Sequence, residues 1–301
     1  MRRQTTLLLL LLGALNLVNV AAQTAEKKQQ PDAPSATANK AADAKNAKPA
    51  LNIAPDAVRE QAIADALAAR YEREELVWLD VEKAKVLALF IEQTTKTPRG
   101  AALVLHGMGG NPDDPELMHA LRTTLPKFGW STLVLQLPIL PPGAPREAYG
   151  GTVEAAGKRI QAALAHFKEK KLSNVVIIGH ELGAALALNA AAGSKDVRAV
   201  VALSVSSADG LNPPVDVAAA IEKLKVPVLD LVGGWDTPAQ LRLAEKRVAM
   251  ARTAKHPSYT QVALAGTDDM LTNVTDVVVI RVRSWINKKA AGAAIQAGAQ
   301  Q

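Results

Sequence analysis

Cysteine is absent from all 301 residues. Disulfides, thiolate zinc sites, iron–sulfur clusters, a cysteine nucleophile and a lipid-modified N-terminal cysteine are therefore excluded. Aromatic residues make up 3% of the chain, too few for a reader of single-stranded nucleic acid built on stacked bases. Neither sign of charge dominates: 35 Lys and Arg stand against 29 Asp and Glu, a net +6. Apolar side chains are plentiful at 49%, with 21% charged. That balance suits a globular protein with a substantial core, not a wholly disordered chain or a polytopic membrane protein. The length fits one large α/β domain or two small ones.

The one long apolar run lies at the start. Met1-Arg2-Arg3 is a short positive region, Leu7 to Leu12 is unbroken leucine, and apolar character persists to Val18. Val20-Ala21-Ala22 then supplies the residues of a cleavage site. This is the pattern of a secretory signal peptide cut after Ala22, which predicts a periplasmic or secreted protein with no transmembrane span after cleavage. A retained anchor is the alternative. It is disfavoured because the run falls short of the about 20 apolar residues that span a bilayer and is interrupted by Asn16 and Asn19. Residues 23–54 carry Lys27, Lys28, Lys40, Lys45 and Lys48 among Ala, Gln and Pro. With almost no large apolar residue to bury, that stretch reads as a flexible linker. Residues 55–289 are the expected domain, and 290–301 a short Ala/Gly/Gln tail.

Within the domain, apolar spacing predicts a helix over Asp56–Arg73, with Pro55 tolerated at its start. Two β-rich runs follow, Leu76–Leu79 and Val86–Ile91, expected as a hairpin. Continuous apolar runs then appear at Ala101–Leu105, Thr132–Leu135, Asn174–Ile178, Arg198–Leu203, Val226–Val232 and Thr260–Leu264. Helical patterns fall between them, at about Asp114–Lys127, Thr152–Lys170, Leu182–Ala192, Ala218–Leu224, Pro238–Thr253 and Val274–Lys288. Apolar strands alternating with amphipathic helices predict an α/β fold: a mostly parallel sheet, two antiparallel strands at its beginning, and helices on both faces. Ligands of such sheets bind beyond the carboxyl ends of the strands.

Four turns sit at those ends. His106-Gly107-Met108-Gly109-Gly110 follows the first continuous run, and its glycines let backbone N–H groups approach an anion or oxyanion. Gly179-His180-Glu181-Leu182-Gly183 follows the third and opens a helix of small residues. Gly233-Gly234-Trp235-Asp236 and Gly266-Thr267-Asp268-Asp269-Met270 end the last two. In this order the turns resemble the α/β-hydrolase superfamily over about Leu76–Asn287. The second turn is similar to the nucleophile elbow, normally G-x-S-x-G. The His106-Gly107 turn resembles the oxyanion loop, with Gly107, Met108, Gly109 and Leu182 as expected oxyanion or ligand contacts. Asp236 falls at the place of the triad acid. The leader, the His-Gly-x-Gly-Gly loop and the altered elbow resemble more narrowly the exported bacterial family called domain of unknown function 3530.

Two departures bear on function. Glu181 stands where the superfamily holds Ser, and Asp269 where it holds His. A serine hydroxyl attacks when a neighbouring imidazole takes its proton and the acid orients that imidazole. Losing nucleophile or base costs about a millionfold in turnover. The expectation is an exported hydrolase-fold protein without serine-hydrolase activity, which binds a small ligand or a cell-envelope protein and uses no cofactor. Its Glu181 carboxylate would then fill the oxyanion hole at the positive end of the following helix. Two alternatives stay open. The chain is an active esterase-like hydrolase, or one with Glu181 as a carboxylate nucleophile, or it is a scaffold subunit of an envelope complex.

His106, His180 and His256 are candidate bases, or respectively a loop brace, a residue packed beside the sheet and a turn residue. His119 and His166 lie on helices as solvated or supporting groups. Glu181, Asp236, Asp268, Asp269 and His106 have oxygen and nitrogen donors suited to a metal, but no ligand-spacing motif supports one. Asp268 or Asp269 is alternatively a cap for the last helix. Ser204, Ser206 and Ser207 end a strand and are turn residues before they are displaced nucleophiles. Pro138, Pro141, Pro142 and Pro145 stiffen a loop expected to overhang the pocket.

Overall fold

A computed structural model describes residues 51–290, except the side chains of Ser206 and Ser207. The expected leader, residues 23–50 of the linker, and the tail from residue 291 lie outside the described residues. The first element is a helix, α1 (Ala57–Arg70), started by Asp56, whose carboxylate accepts the Arg59 N–H. A hairpin follows, β1 (Leu76–Val81) and β2 (Ala84–Ile91). The remaining strands are β3 (Gly100–Leu105), β4 (Trp130–Leu135), β5 (Val175–His180), β6 (Val197–Leu203), β7 (Val228–Gly233) and β8 (Tyr259–Leu264). Between and after them run α2 (Leu117–Thr124), α3 (Val153–Glu169), α4 (Leu182–Ala192), α5 (Val217–Lys223), α6 (Pro238–Thr253) and α7 (Thr275–Lys289).

All eight strands join one sheet in the order β1-β2-β4-β3-β5-β6-β7-β8. β1 and β2 pair antiparallel, β2 runs antiparallel to β4, and every other pairing is parallel. Strands β3 to β5 are buried on both faces, which is why they read as unbroken apolar runs and not as alternation. Successive residues feed two separate cores. Leu103, Leu105, Leu133 and Ile177 pack under α3 and α4, while Ala102, Val104, Val134 and Ile178 pack under α2 and α7. Helix α4 has eight of its eleven residues buried, and Asn189 is its one polar side chain.

The helix bounds of α4 and α6 match the sequence pattern, and the others agree to within a few residues. The expected Asp114–Lys127 helix is shorter for local reasons. The Asp114 carboxylate accepts both the backbone N–H and the side-chain amide of Asn111, at 3.0 and 2.6 Å, and so closes a turn. Pro115 also biases Asp114 away from helical backbone. At the other end a separate 3-10 turn, Leu125–Phe128, begins with Pro126 as its second residue. Helix α6 carries a complete capping box between Thr237 and Gln240. Thr237→Ala removes the side-chain acceptor for the Gln240 N–H, and is expected to cost about 1 kcal/mol in urea unfolding. Among the described residues, no helix is long and apolar enough to cross a membrane.

Candidate active site

The carboxyl ends of β3, β5, β7 and β8 line up along one sheet edge. At the end of β5 the chain turns directly into α4 through Glu181, held at φ 49°, ψ −115°. A side chain at such a backbone costs about 1–3 kcal/mol. The two flanking glycines make the turn feasible. A Cβ on Gly179 would lie 2.1 Å from the Gly183 carbonyl oxygen, and one on Gly183 would lie 2.5 Å from that of Leu105. The turn is further fixed by the Glu181 N–H donating to Leu203 O at 2.9 Å. The Gly-x-x-x-Gly spacing is thus a packing requirement of an elbow, and the elbow holds Glu181 at its tip.

The Glu181 side chain is buried and folds onto the loop after β3. Its Oε2 accepts the Met108 N–H at 3.2 Å. A Cβ on Gly107 would come within 2.1 Å of the same oxygen, so only glycine lets the carboxylate lie there. Leu182 opens α4, but among the described residues the carboxylate reaches the Met108 amide and not this one. Gly109 has φ 69°, and its carbonyl accepts from Arg59 of α1 at 3.4 Å. In front of Glu181 is a cleft of about 330 Å³, bordered by Met108, Asp114, His180, Met270 and Thr272 among others.

His106 is a brace. Leu137 N–H donates to its Nε2 at 2.9 Å, and its Nδ1 lies 2.7 Å from Gly107 O. A backbone amide can only donate and a carbonyl can only accept, so the ring is the neutral Nδ1–H tautomer with both nitrogens engaged. Burial pushes its pKa down to about 4. It has no lone pair left for a substrate proton.

His180 has a role that its sequence neighbours do not reveal. Its Nε2–H donates to Asp269 O at 3.0 Å, tying the elbow to the loop after β8. The carboxylate of Asp269 accepts from Gln240 of α6 at 3.0 Å, so that loop is held from two sides. Asp268 does not cap the last helix; its Oδ1 accepts the Met270 N–H at 3.1 Å, and α7 starts from Val274 without a side-chain cap.

Asp236 is buried just beyond β7, and its Oδ1 has no hydrogen-bond partner. Burial, then the charges of Asp269 and Asp268, push its carboxyl up to about 6. The structure thus brings Glu181, His180 and the His106–Gly109 loop together, joins Asp269 to them through His180, and sets Asp236 beside Asp269. Among the described residues, no three His, Asp or Glu side chains converge as metal ligands.

The remaining candidates lie elsewhere or serve structure. His256 is half-buried against the Tyr259 ring and accepts the Ser258 N–H at 3.2 Å. His119 donates to Asp113, whose carboxylate also meets Arg122 and Tyr71. Burial raises the Asp113 pKa, but those hydrogen bonds and the Arg122 charge outweigh it and hold the group below the ordinary carboxylate value. Ser204 is fully buried at φ 54°, with its hydroxyl unpartnered and out of solvent's reach. The proline loop is docked against α1, through Asp56 N–H to Ile139 O and Ile139 N–H to Glu60. None of its residues borders the cleft, contrary to expectation. Asp114, at the cleft wall, is a further site residue that no motif marks. Its three-residue spacing from Asn111, suited to a side-chain-closed turn, is the one signal in the sequence.

The sheet order, the glycine-crossed elbow and the adjoining loop define an α/β-hydrolase fold. Within that class the chain belongs to the family described as protein of unknown function (DUF3530), which matches residues 5–157 and 141–288. Solved structures with the same fold include Est1E from Butyrivibrio proteoclasticus, at 17% identity, with 72% of this chain and 100% of that chain covered and a TM-score of 0.60. A dienelactone hydrolase from Anabaena variabilis is 20% identical over 71% of this chain and 96% of its own, TM-score 0.56. The Pyrococcus furiosus esterase Pf2001 is 13% identical over 71% and 90%, TM-score 0.57. No curated protein matches the chain by sequence.

Proposed function

We propose that this chain is an exported α/β-hydrolase-fold protein that works by binding a small ligand or a cell-envelope protein, without serine-hydrolase chemistry. The observation that carries the reading is the hydrogen bond from the Met108 amide to Glu181 Oε2. The side chain at the elbow tip occupies the amide that would stabilise an oxyanion. His106 supports the same reading, because both nitrogens of this loop histidine are already hydrogen-bonded. The proposed export rests on the leader pattern of residues 1–22.

A second reading draws on His180 bordering the same cleft as Glu181 and on the esterases among the structural neighbours. In it the Glu181 carboxylate attacks the ester carbonyl and expels the alcohol, which takes a proton from solvent, leaving a mixed anhydride; His180 then draws a proton from a water that cleaves the anhydride, releasing the acid and restoring the carboxylate. The two readings separate in one assay. Protein lacking residues 1–22 is screened against short-chain p-nitrophenyl esters and a fluorophosphonate probe, beside Glu181→Ala. The binding reading expects no label and no turnover above the variant. Turnover that vanishes in Glu181→Ala would transfer the function to the carboxylate nucleophile. For export, fractionation of cells expressing the full chain is expected to find it outside the cytoplasm, shortened at its N-terminus.

A further inference from the structure

We infer that the outer face of α3 and α4 is a binding site for a single-chain anionic amphiphile, such as a long-chain carboxylate or a lysophospholipid phosphate. The site is separate from Glu181 and does not rest on the reading above. A groove of about 830 Å³ runs between the two helices over an apolar floor that includes Val153, Ile160, Leu164 and Leu186. That volume lies within the about 300–1,000 Å³ of sites that enclose small ligands. Leu164, Lys168, Lys195 and Asp196 also border a second cavity of about 360 Å³, so the two adjoin. The second cavity gathers Lys168, Lys171, Lys195 and Arg198.

None of these four cations is in an ion pair among the described residues, and Asp196 is the one acid that borders either cavity. Helix α3 leads into β5 and α4 leads out of it, so both helices run toward the amino-terminal edge of the sheet, away from the elbow. Their carboxyl ends meet at the cationic cavity and add about half a negative charge each. Four cations against one acid and two helix ends leave an excess of about two positive charges. Offsetting the helix ends alone would not need four unpaired cations.

Charge selects the occupant. The linker of this chain carries five lysines between Lys27 and Lys48 against Asp32 and Asp43, a net positive charge, so it is repelled. A second copy docked through this face would bring the same positive excess to it. Shape selects further. The groove runs from Val153 at one end to Lys168 and Lys195 at the other, the tail-to-head layout of an amphiphile. An extended peptide would bring an N–H and a C=O every about 3.3 Å over the apolar floor and leave them unpaired. An acyl chain has no such groups. From Val153 to Lys168 the helix axis advances about 22 Å, the span of a long extended chain with its head at the lysines. Gly157 opens the wall: a Cβ there would meet nothing within 4 Å.

The test is displacement of the fluorescent polyene cis-parinaric acid from the chain lacking residues 1–22. Palmitate, below its micelle concentration, is expected to displace it with a micromolar midpoint. Hexadecanol and inorganic phosphate are expected to be weaker by roughly tenfold or more, because each offers only half of the ligand. Gly157→Leu fills the groove with a better helix former, and Lys168→Glu with Lys195→Glu reverses the charge. Each change is expected to weaken palmitate by roughly tenfold or more, with helical circular dichroism retained, while Thr237→Ala binds as the parent does. Absence of saturable binding, indifference to Gly157→Leu, or hexadecanol matching palmitate would each overturn the site. So would competition by an acidic amphipathic helical peptide with none by palmitate.

Discussion

Replacing Glu181 by Ser and Asp269 by His together is expected to create a fluorophosphonate-reactive protein, and neither change alone is. The elbow is already built. Its tip sits at φ 49°, ψ −115° between two glycines that admit the helix, so a serine there inherits the strained turn geometry. Removing the carboxylate also frees the Met108 amide, now hydrogen-bonded to Glu181 Oε2, to face an oxyanion. The acid is in place as well. Asp236 Oδ1 is buried with no partner, and Asp269 is the first of the charges acting on it. An imidazole in place of the Asp269 carboxylate would give that oxygen an N–H to accept. A serine without a base, or an imidazole without a nucleophile, lacks the concerted proton transfer that activates the hydroxyl. General-base assistance is worth about 10²–10⁴ in rate. The double variant is therefore expected to turn over p-nitrophenyl acetate at least about a hundredfold faster than either single one. Labelling of Glu181→Ser alone would point to His180 as a surviving base. A folded but unreactive double variant would mean that the loop after β8 does not aim its substituted side chain at the elbow.

The elbow is legible in the sequence because its glycines answer a steric demand that any chain with this strand–helix crossing must meet. The sheet is legible because burial on both faces leaves continuous apolar runs. Side-chain partnerships are not. His106, His180 and Asp114 are ordinary polar residues in the sequence, and their roles depend on Leu137, Asp269 and Asn111, of which only the last is near in the chain. The His-Gly pair is enough to suggest that His106 braces its loop, but its tautomer depends on the Leu137 amide, 31 residues on. The Asp113–Arg122 pairing spans nine residues, beyond the i, i+4 spacing that reads as a helical pair. The groove on α3 is hidden for a different reason. Val153, Gly157, Ile160 and Leu164 repeat at helical spacing, which is equally the signature of a face buried in the core. Only the structure shows that this face buries Ile160 in the core while leaving Val153, Gly157 and Leu164 partly open.

Asp236→Asn is expected to stabilise the fold at pH 8 by about 2 kcal/mol and to leave it nearly unchanged near pH 4. In the native state burial and the neighbouring Asp269 and Asp268 raise the Asp236 pKa to about 6, against an ordinary 3.8. Between those values the folded chain keeps a proton that the unfolded chain has released. Stability therefore falls as pH rises from about 4 to 6 and is flat above. A tenfold change in proton affinity corresponds to about 1.4 kcal/mol. The full difference is reduced here because Asp268 is exposed and Asp269 half-buried, where salt screens them. Asparagine keeps the shape without the charge, so its advantage appears only above the native pKa. Urea unfolding of parent and variant at pH 4.5 and pH 8, in low and high salt, checks the sign, the window and the screened share. Equal stabilities at pH 8 would mean that the orphaned oxygen already has a partner in solution. The reactive double variant supplies such a partner deliberately. With the introduced imidazole donating to Asp236, the carboxylate becomes the favoured form, and the decline in stability between pH 4 and 6 is expected to disappear.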